Sequence, residues 1–345
     1  MNKSFDPRGR QFAWDATSLA SAEKCLRYYY YKHICGYYRP EKSFHLRFGS
    51  HYATALEHFY KYRALGSDIN TALEMVVLEA LVDTWDRPVC EVCQSQGSVQ
   101  VEPKEVLGEN AYVDNIDWME QSCSACAGTG HIGDGAPWQS PDPAKTRENL
   151  IRTIIWYVDQ FAHEGTEVII LSDGRPAVEY SFSLSVDNGY VFSGHIDRLV
   201  TYAKDPYVMD QKTTGGAISQ TYFNNYSPDI QMSMYTFAGK AIYNMPVRGV
   251  IIDAAQIAVG FTRFERGFTF RTESQLHEWY DEMMLLIERA RKASEEQYFP
   301  MNRASCGNYG GCEFRGICSR SPEVRANFLA GDFKQGPTWD PLDRR

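Results

Sequence analysis

Apolar and polar positions along the chain change their spacing several times, and each change predicts a different kind of structure. Residues 17–34, TSLASAEKCLRYYYYKHI, open on Thr and Ser and run on without Gly or Pro, which predicts a helix carrying Cys25. Two more helices are expected over 46–65 and 70–85. From about 86 to 143 the periodicity lapses and Gly, Ser, Pro and paired cysteines take its place, the pattern of an inserted, metal-stabilised module. Helical spacing returns over 144–163. Runs rich in β-branched and aromatic residues follow, EVIIL, AVEYSFSLSV, YVFSGHIDRLV and YVMDQKT, and predict successive strands joined by short turns. A helix over 218–244, strands through GVIIDAAQIAV and FTRFERGFTF, and a helix over 273–297 complete a mixed α/β pattern without internal repeats. The expected organisation is a helical part at 1–85, the insertion at 86–143, a core at 144–300 and a cysteine-bearing segment and tail at 301–345.

Composition narrows the class. The 345 residues are 43% hydrophobic and 23% charged, as in a folded globular protein, and 22 are tyrosines. No run of about 18 apolar residues is present, and the opening MNKSFDPRGRQFAWD has no apolar signal region, so a cytoplasmic protein without membrane association is expected. A net charge of −9 argues against non-specific coating of nucleic acid, while leaving room for a local basic groove.

Nine cysteines, an odd count in a chain read as intracellular, point to metal instead of disulfides. Cys90 and Cys93, with Cys123 and Cys126, form two C-x2-C turns that together offer a tetrahedral ion four thiolates, a strong zinc signal. The second turn, CSACAGTG, resembles a knuckle of the DnaJ-type zinc module, but no HPD motif accompanies it. A structural staple and a DNA-gripping role are both open to this module. Cys306, Cys312 and Cys318 are spaced by five residues and supply three thiolates, one short of a zinc or four-iron site. Cys35 has no evident partner and reads as a small buried residue.

The reactive candidates lie on two expected strands. SGHIDRLV carries Asp197, and YVMDQKTT carries Asp210 and Lys212, whose separation by two places both on one side of a strand. Two carboxylates can hold a hard divalent cation, which polarises a phosphoryl oxygen, and an adjacent ammonium can orient water or offset developing charge. G-H-I-D-R followed by D-x-K-T resembles the PD-(D/E)XK nuclease superfamily in its RecB-like, CRISPR-associated-exonuclease-like branch, found in bacterial and phage proteins. Gln231 and Tyr235 match that branch's Q-x3-Y element, on one helix face, and Glu179 fits its acidic residue on the preceding strand. Where the family's helix reads F-G-S-x-x-H-x-x-L-E, this chain has Ala53 in the histidine's slot. Glu57, one turn on, is the better ligand candidate, and His51 lies round the helix from it.

The resemblance implies a mixed sheet flanked by helices and Mg²⁺- or Mn²⁺-dependent hydrolysis of DNA. It places Asp197, Asp210 and Glu57 as metal ligands beside Lys212, Gln231 and Tyr235, and implies an exonuclease of DNA ends or single strands, with recombination or replication proteins as further partners. It also implies that Cys25, in a segment of the form S-x-L-x5-C-x2-Y-Y-Y, joins Cys306, Cys312 and Cys318 around a 4Fe-4S cluster; spacing alone allows zinc there too. The alternative is a DNA-binding or complex-building protein on the same fold with weakened catalysis.

Overall fold

The computed structural model describes residues 4–40, 43–94, 96–101, 119–161, 163–243 and 246–343. The chain enters through a short strand β1 (Ala13–Trp14) and reverses at Asp15, whose carboxylate accepts from Ser18 N–H at 2.8 Å while Asp15 N–H donates to Ser18 Oγ at 3.1 Å. That capping box starts α1 (Ala16–Lys24). The single helix expected over 17–34 is broken: Cys25 is extended, at φ −172° and ψ 119°, between α1, α2 (Leu26–Tyr29) and a wide π turn over Tyr30–Ile34. Tertiary contacts account for the break, since Arg27 N–H donates to Pro300 O at 3.2 Å and Asn302 N–H to Cys25 Sγ at 3.3 Å.

After β2 (Tyr37–Tyr38) come α3 (Phe44–Ala64), capped by Ser43, and α4 (Ile69–Asp83), capped by Asp68. The insertion is closed at its base by β3 (Trp85–Asp86) pairing with β6 (Ala136–Pro137), and holds a hairpin of β4 (Ser98–Val101) and β5 (Met119–Ser122). Helix α5 (Arg147–Phe161) follows, and then β7 (Glu167–Val168), shorter than the expected EVIIL strand because the chain turns back from Leu171 to Arg175. Next come β8 (Val178–Ser185), β9 (Val191–Tyr202) and β10 (Asp205–Thr214). The helix expected over 218–244 is two, α6 (Gln220–Asn224) and α7 (Ile230–Tyr243). Pro228 cannot donate to a helical ladder, and Asp229 restarts the helix by accepting from Met232 N–H at 2.9 Å. Strands β11 (Val250–Ile257) and β12 (Thr262–Thr269), helix α8 (Glu273–Glu295), helices α9 (Arg315–Cys318) and α10 (Arg325–Asp332) and strand β13 (Lys334–Gln335) complete the chain.

Seven strands form one mixed sheet in the order β1-β9-β10-β11-β12, with β7 and β8 also on β9; β1–β9 and β10–β11 are parallel and the other pairs antiparallel. Strand β11 is buried along nearly its whole length, and its alternating side chains feed two cores. Val250, Ile252 and Ala254 pack with Leu19, Met232, Ala238 and Trp279 from α1, α7 and α8. Ala255 and Ile257 pack on the other side with Phe48, Leu56, Val76 and Ile154 from α3, α4 and α5. Helices thus flank both faces, the α/β arrangement expected. Among the described residues no helix is long and apolar enough to cross a membrane.

Candidate active site and cysteine centres

Three carboxylates fall on one line across neighbouring strands. The β8–β9 ladder pairs Val178 with Arg198 and Tyr180 with Ile196, which sets Glu179 opposite Asp197. On the other side, the β9–β10 ladder pairs Met209 with Arg198 and ends there, so Asp210 is next in register across from Asp197. Past this point the strands part, and Gln211 N–H donates to Asp197 Oδ2 at 2.7 Å instead of to β9 backbone. The line therefore sits at a fork in the sheet. Glu179 has φ +48°, the left-handed region that costs a non-glycine residue about 1–3 kcal/mol, and its neighbour across the strand is a like charge.

Burial makes this arrangement electrostatically expensive. It pushes the Asp210 carboxyl up to about 7, against the pull of Lys212 and with a further push from Asp197. Asp197 is raised by burial too, though Lys212 and the Gln211 amide draw it down. Glu179 is pushed up to about 7 by burial, then by Asp197 and Glu57. Burial also works against the Lys212 ammonium, but Asp210 and Asp197 outweigh it and raise its pKa. One cation facing three carboxylates leaves the fork short of positive charge. Asp210 Oδ2 is buried without a well-formed hydrogen bond and meets the Lys212 ammonium as its ion partner. Hard oxygen donors in this state suit a divalent cation such as Mg²⁺ or Mn²⁺.

Lys212 is held from the helical side. Its Nζ donates to Gln231 Oε1 at 3.0 Å, Gln231 Nε2 donates to Tyr235 Oη at 2.9 Å, and the Tyr235 hydroxyl donates to His195 O on β9 at 2.6 Å. The i,i+4 pair on α7 thus forms a strut from the ammonium to the strand carrying Asp197. Glu57 stands farther out: its carboxylate pairs with Lys61 on its own helix and acts on Glu179. Gly49, two turns earlier, lets α3 pass close to β10, since a Cβ there would come within 3.4 Å of Thr213 Oγ1. His51 faces elsewhere, with its ring 6.1 Å from Trp138 and its Nε2 3.4 Å from Arg47 Nε.

On the sheet's opposite face, Arg198 turns from its neighbour Asp197 into a buried network. Its Nη2 donates to Asp253 Oδ2 at 2.8 Å, Arg266 Nε donates to Asp253 Oδ1 at 3.2 Å, and the Tyr157 hydroxyl donates to the same carboxylate. The Arg198 guanidinium also lies 3.9 Å from the Tyr60 ring centroid. Nothing in the motif reading pointed to this network; the signal available was an Asp at the centre of the apolar run GVIIDAAQIAV.

The two cysteine groups differ in geometry. Cys90 and Cys123 sulfurs are 3.8 Å apart and those of Cys93 and Cys126 3.6 Å, all four buried. A tetrahedron with metal–sulfur bonds of about 2.3 Å has edges of about 3.8 Å. Glycine enables the close approach of the two turns, because a Cβ on Gly97, at φ +75°, would sit 2.4 Å from Gly128 O. Cys25, Cys306, Cys312 and Cys318 line one small cavity with Tyr28 and Phe314. Asn302 Nδ2 and Ser305 Oγ both donate to Lys24 O, at 3.0 and 2.8 Å, and draw the C-terminal segment onto the helix break at Cys25. Among the described residues no other group of three Cys, His, Asp or Glu ligand atoms, at this cavity or on the acid line, lies within 4.8 Å of one another.

A family model of the PD-(D/E)XK nuclease superfamily matches residues 13–319. No curated protein matches the chain significantly. A solved structure described as "Crystal structure of SSO0001" overlaps 41% of this chain at 12% identity and a TM-score of 0.23; the chain spans about 60% of that structure's length.

Proposed function

The chain belongs to the PD-(D/E)XK nuclease superfamily, and we propose that it is a Mg²⁺- or Mn²⁺-dependent deoxyribonuclease of the RecB-like branch, acting exonucleolytically on DNA ends or single strands. The line Glu179–Asp197–Asp210 with Lys212 at the sheet fork carries the reading. Asp197 and Asp210 would hold the cation, with Glu179 and Glu57 on its outer side. When bound, the cation supplies Lewis acidity at a phosphoryl oxygen. The chain's own part is positioning. Gln211 N–H fixes one Asp197 oxygen, and the Gln231–Tyr235 strut fixes the Lys212 ammonium, where it can orient a water or meet negative charge developing on phosphate.

The cysteine centres serve this site as staples. Sulfur spacing supports zinc at Cys90, Cys93, Cys123 and Cys126. Residues 86–143 hold ten acidic and two basic side chains, which is −8 of the chain's −9 and leaves −1 for the rest. A module so acidic repels phosphate, which favours the structural role over DNA gripping. A 4Fe-4S cluster suits the wider cavity of Cys25, Cys306, Cys312 and Cys318, where it would join the first helix to the C-terminal segment.

Digestion of end-labelled single-stranded, blunt and tailed oligonucleotides with Mg²⁺ or Mn²⁺ tests the proposal. Wild type cleaves, and Asp210→Ala and Lys212→Ala lose at least about 100-fold in rate without loss of fold. Full activity in Asp210→Ala overturns the assignment. Wild type that binds DNA but cleaves none with either metal leaves the second reading, a DNA-binding or complex-building protein, which Ala53 in the histidine's slot favours.

A further inference from the structure

Two tyrosines stand beside the fork without a part in the site so far described. Tyr222 on α6 and Tyr226 in the turn after it are half-buried, with rings 5.5 Å apart, edge to face, and hydroxyls hydrogen-bonded at 3.0 Å. Both hydroxyls feel the Asp210 carboxylate, and Tyr222 also feels the Lys212 ammonium. A bond between two hydroxyls uses one of the two phenolic protons. The other has no acceptor among the described residues.

The segment bearing them is held rigidly. Ser219 caps α6 by accepting from Tyr222 N–H at 3.3 Å, and Ile218 is buried in the main core. The Phe223 ring lies flat across Gly267 of β12, so close that a Cβ there would be 2.1 Å from Phe223 Cδ1. Arg271, itself buried, donates from Nη2 to Tyr226 O at 2.8 Å and from Nε to Ser233 Oγ on α7 at 2.9 Å, and Thr269 Oγ1 donates to Tyr226 O at 3.2 Å. A buried guanidinium that also donates to Thr269 Oγ1 and Phe270 O ties the Tyr226 carbonyl to the end of β12 and to Ser233, and so fixes where the phenols stand relative to α7 and its Gln231. Such preorganisation suits a group that meets substrate.

We propose that the Tyr222–Tyr226 pair positions the DNA strand, its spare phenolic proton donating to a non-bridging oxygen of a backbone phosphate beside the scissile bond. The inference rests on the nuclease reading. Phosphate is the acceptor the place selects, because a strand crossing the acid line brings phosphates past Lys212, and a neutral donor there adds no charge to disturb the Asp210–Lys212 pair. Burial first raises both phenols, with Tyr226 next for Tyr222 and the Asp210 carboxylate adding to both, so the donor stays protonated at alkaline pH.

Tyr222→Phe, Tyr226→Phe and the double variant keep both rings and remove only hydroxyls. Hydrogen bonds from neutral donors to charged acceptors account for about 10- to 150-fold. The double variant should lose that factor in kcat/KM on a single-stranded oligonucleotide, and a similar factor in affinity measured in Ca²⁺, with an unchanged melting temperature. A series of oligonucleotides carrying one neutral methylphosphonate at successive positions supplies the second arm. At the contacted phosphate, wild type falls to the double variant's level, and the variant loses nothing more. Equal losses on every substrate, with a lowered melting temperature, make the pair structural and overturn the inference. Unchanged activity of the double variant beside an active wild type overturns it while sparing the nuclease reading. Wild type that neither binds nor cleaves DNA removes both.

Discussion

Asp253→Ala should be among the most damaging single changes outside the acid line. Asp253 is 3% exposed and Arg198 2%, and Asp253 is the only carboxylate within ion-pairing distance of Arg198 among the described residues. Arg266 has Glu164 as well, so it keeps a partner when Asp253 is lost. Truncation therefore strands one buried guanidinium, with the Tyr60 ring as partial compensation. Leaving a buried charge unpaired costs about 3–5 kcal/mol. At about 2.1 cal/mol/K of unfolding entropy per residue, a 345-residue chain shifts by about 1.4 °C per kcal/mol, so the melting temperature falls by roughly 4–7 °C. Asp253→Asn retains an acceptor and should fall less. Combining Asp253→Leu with Arg198→Met removes the stranded charge altogether and should recover most of the loss, because the penalty is desolvation and not lost attraction. Calorimetry of the variants without added Mg²⁺ or Mn²⁺ decides it: a shift under about 3 °C for Asp253→Ala, or a double variant no better than the single, would refute the reasoning.

Burial and then Lys32 push His33 down to about 4, below the ordinary imidazole value of 6.5, so it is neutral when folded and takes up a proton on unfolding. Stability from this site is complete above pH 6.5 and lost as pH falls toward 4, up to about 3 kcal/mol; acid titration of the melting temperature should show that slope, reduced in His33→Phe. Gly267→Ala should displace Phe223 and cut DNA cleavage more than it lowers the melting temperature, as parallel kinetic and thermal measurements would show; equal cleavage would mean that α6 tolerates the shift. In protein purified without oxygen, Cys312→Ser should lose iron and its absorption near about 400 nm while one zinc per chain remains, and should expose residues 300–343 to protease. Joint loss of both metals would contradict two separate centres.

The acid line was half legible in the sequence. Asp210 and Lys212 share a strand, and a period of two is enough to place them together. Glu179 and Asp197 could be matched to a motif but not to one another, because which residues oppose across a ladder depends on register, and register depends on the whole sheet. The same limit hid the pairing of Arg198 with Asp253, which meet directly across β10: the Asp within the apolar run GVIIDAAQIAV signals a buried charge but not its partner. Helices 17–34 and 218–244 failed for opposite reasons. Pro228 was a local breaker in plain view. Cys25 was not, since nothing in KCLRY forbids a helix; the break is imposed by Asn302 and Ser305, some 280 residues away, drawing the C-terminal segment onto Lys24 and Cys25. That difference bears on function. A cysteine inside a regular helix has neighbours on every side, whereas one in extended backbone between two helices can face a cavity shared with three other cysteines. The departure from helical propensity at Cys25 therefore lets it face that cavity, as the proposed cluster would need, and it ties the order of the first helix to the segment that closes the fold.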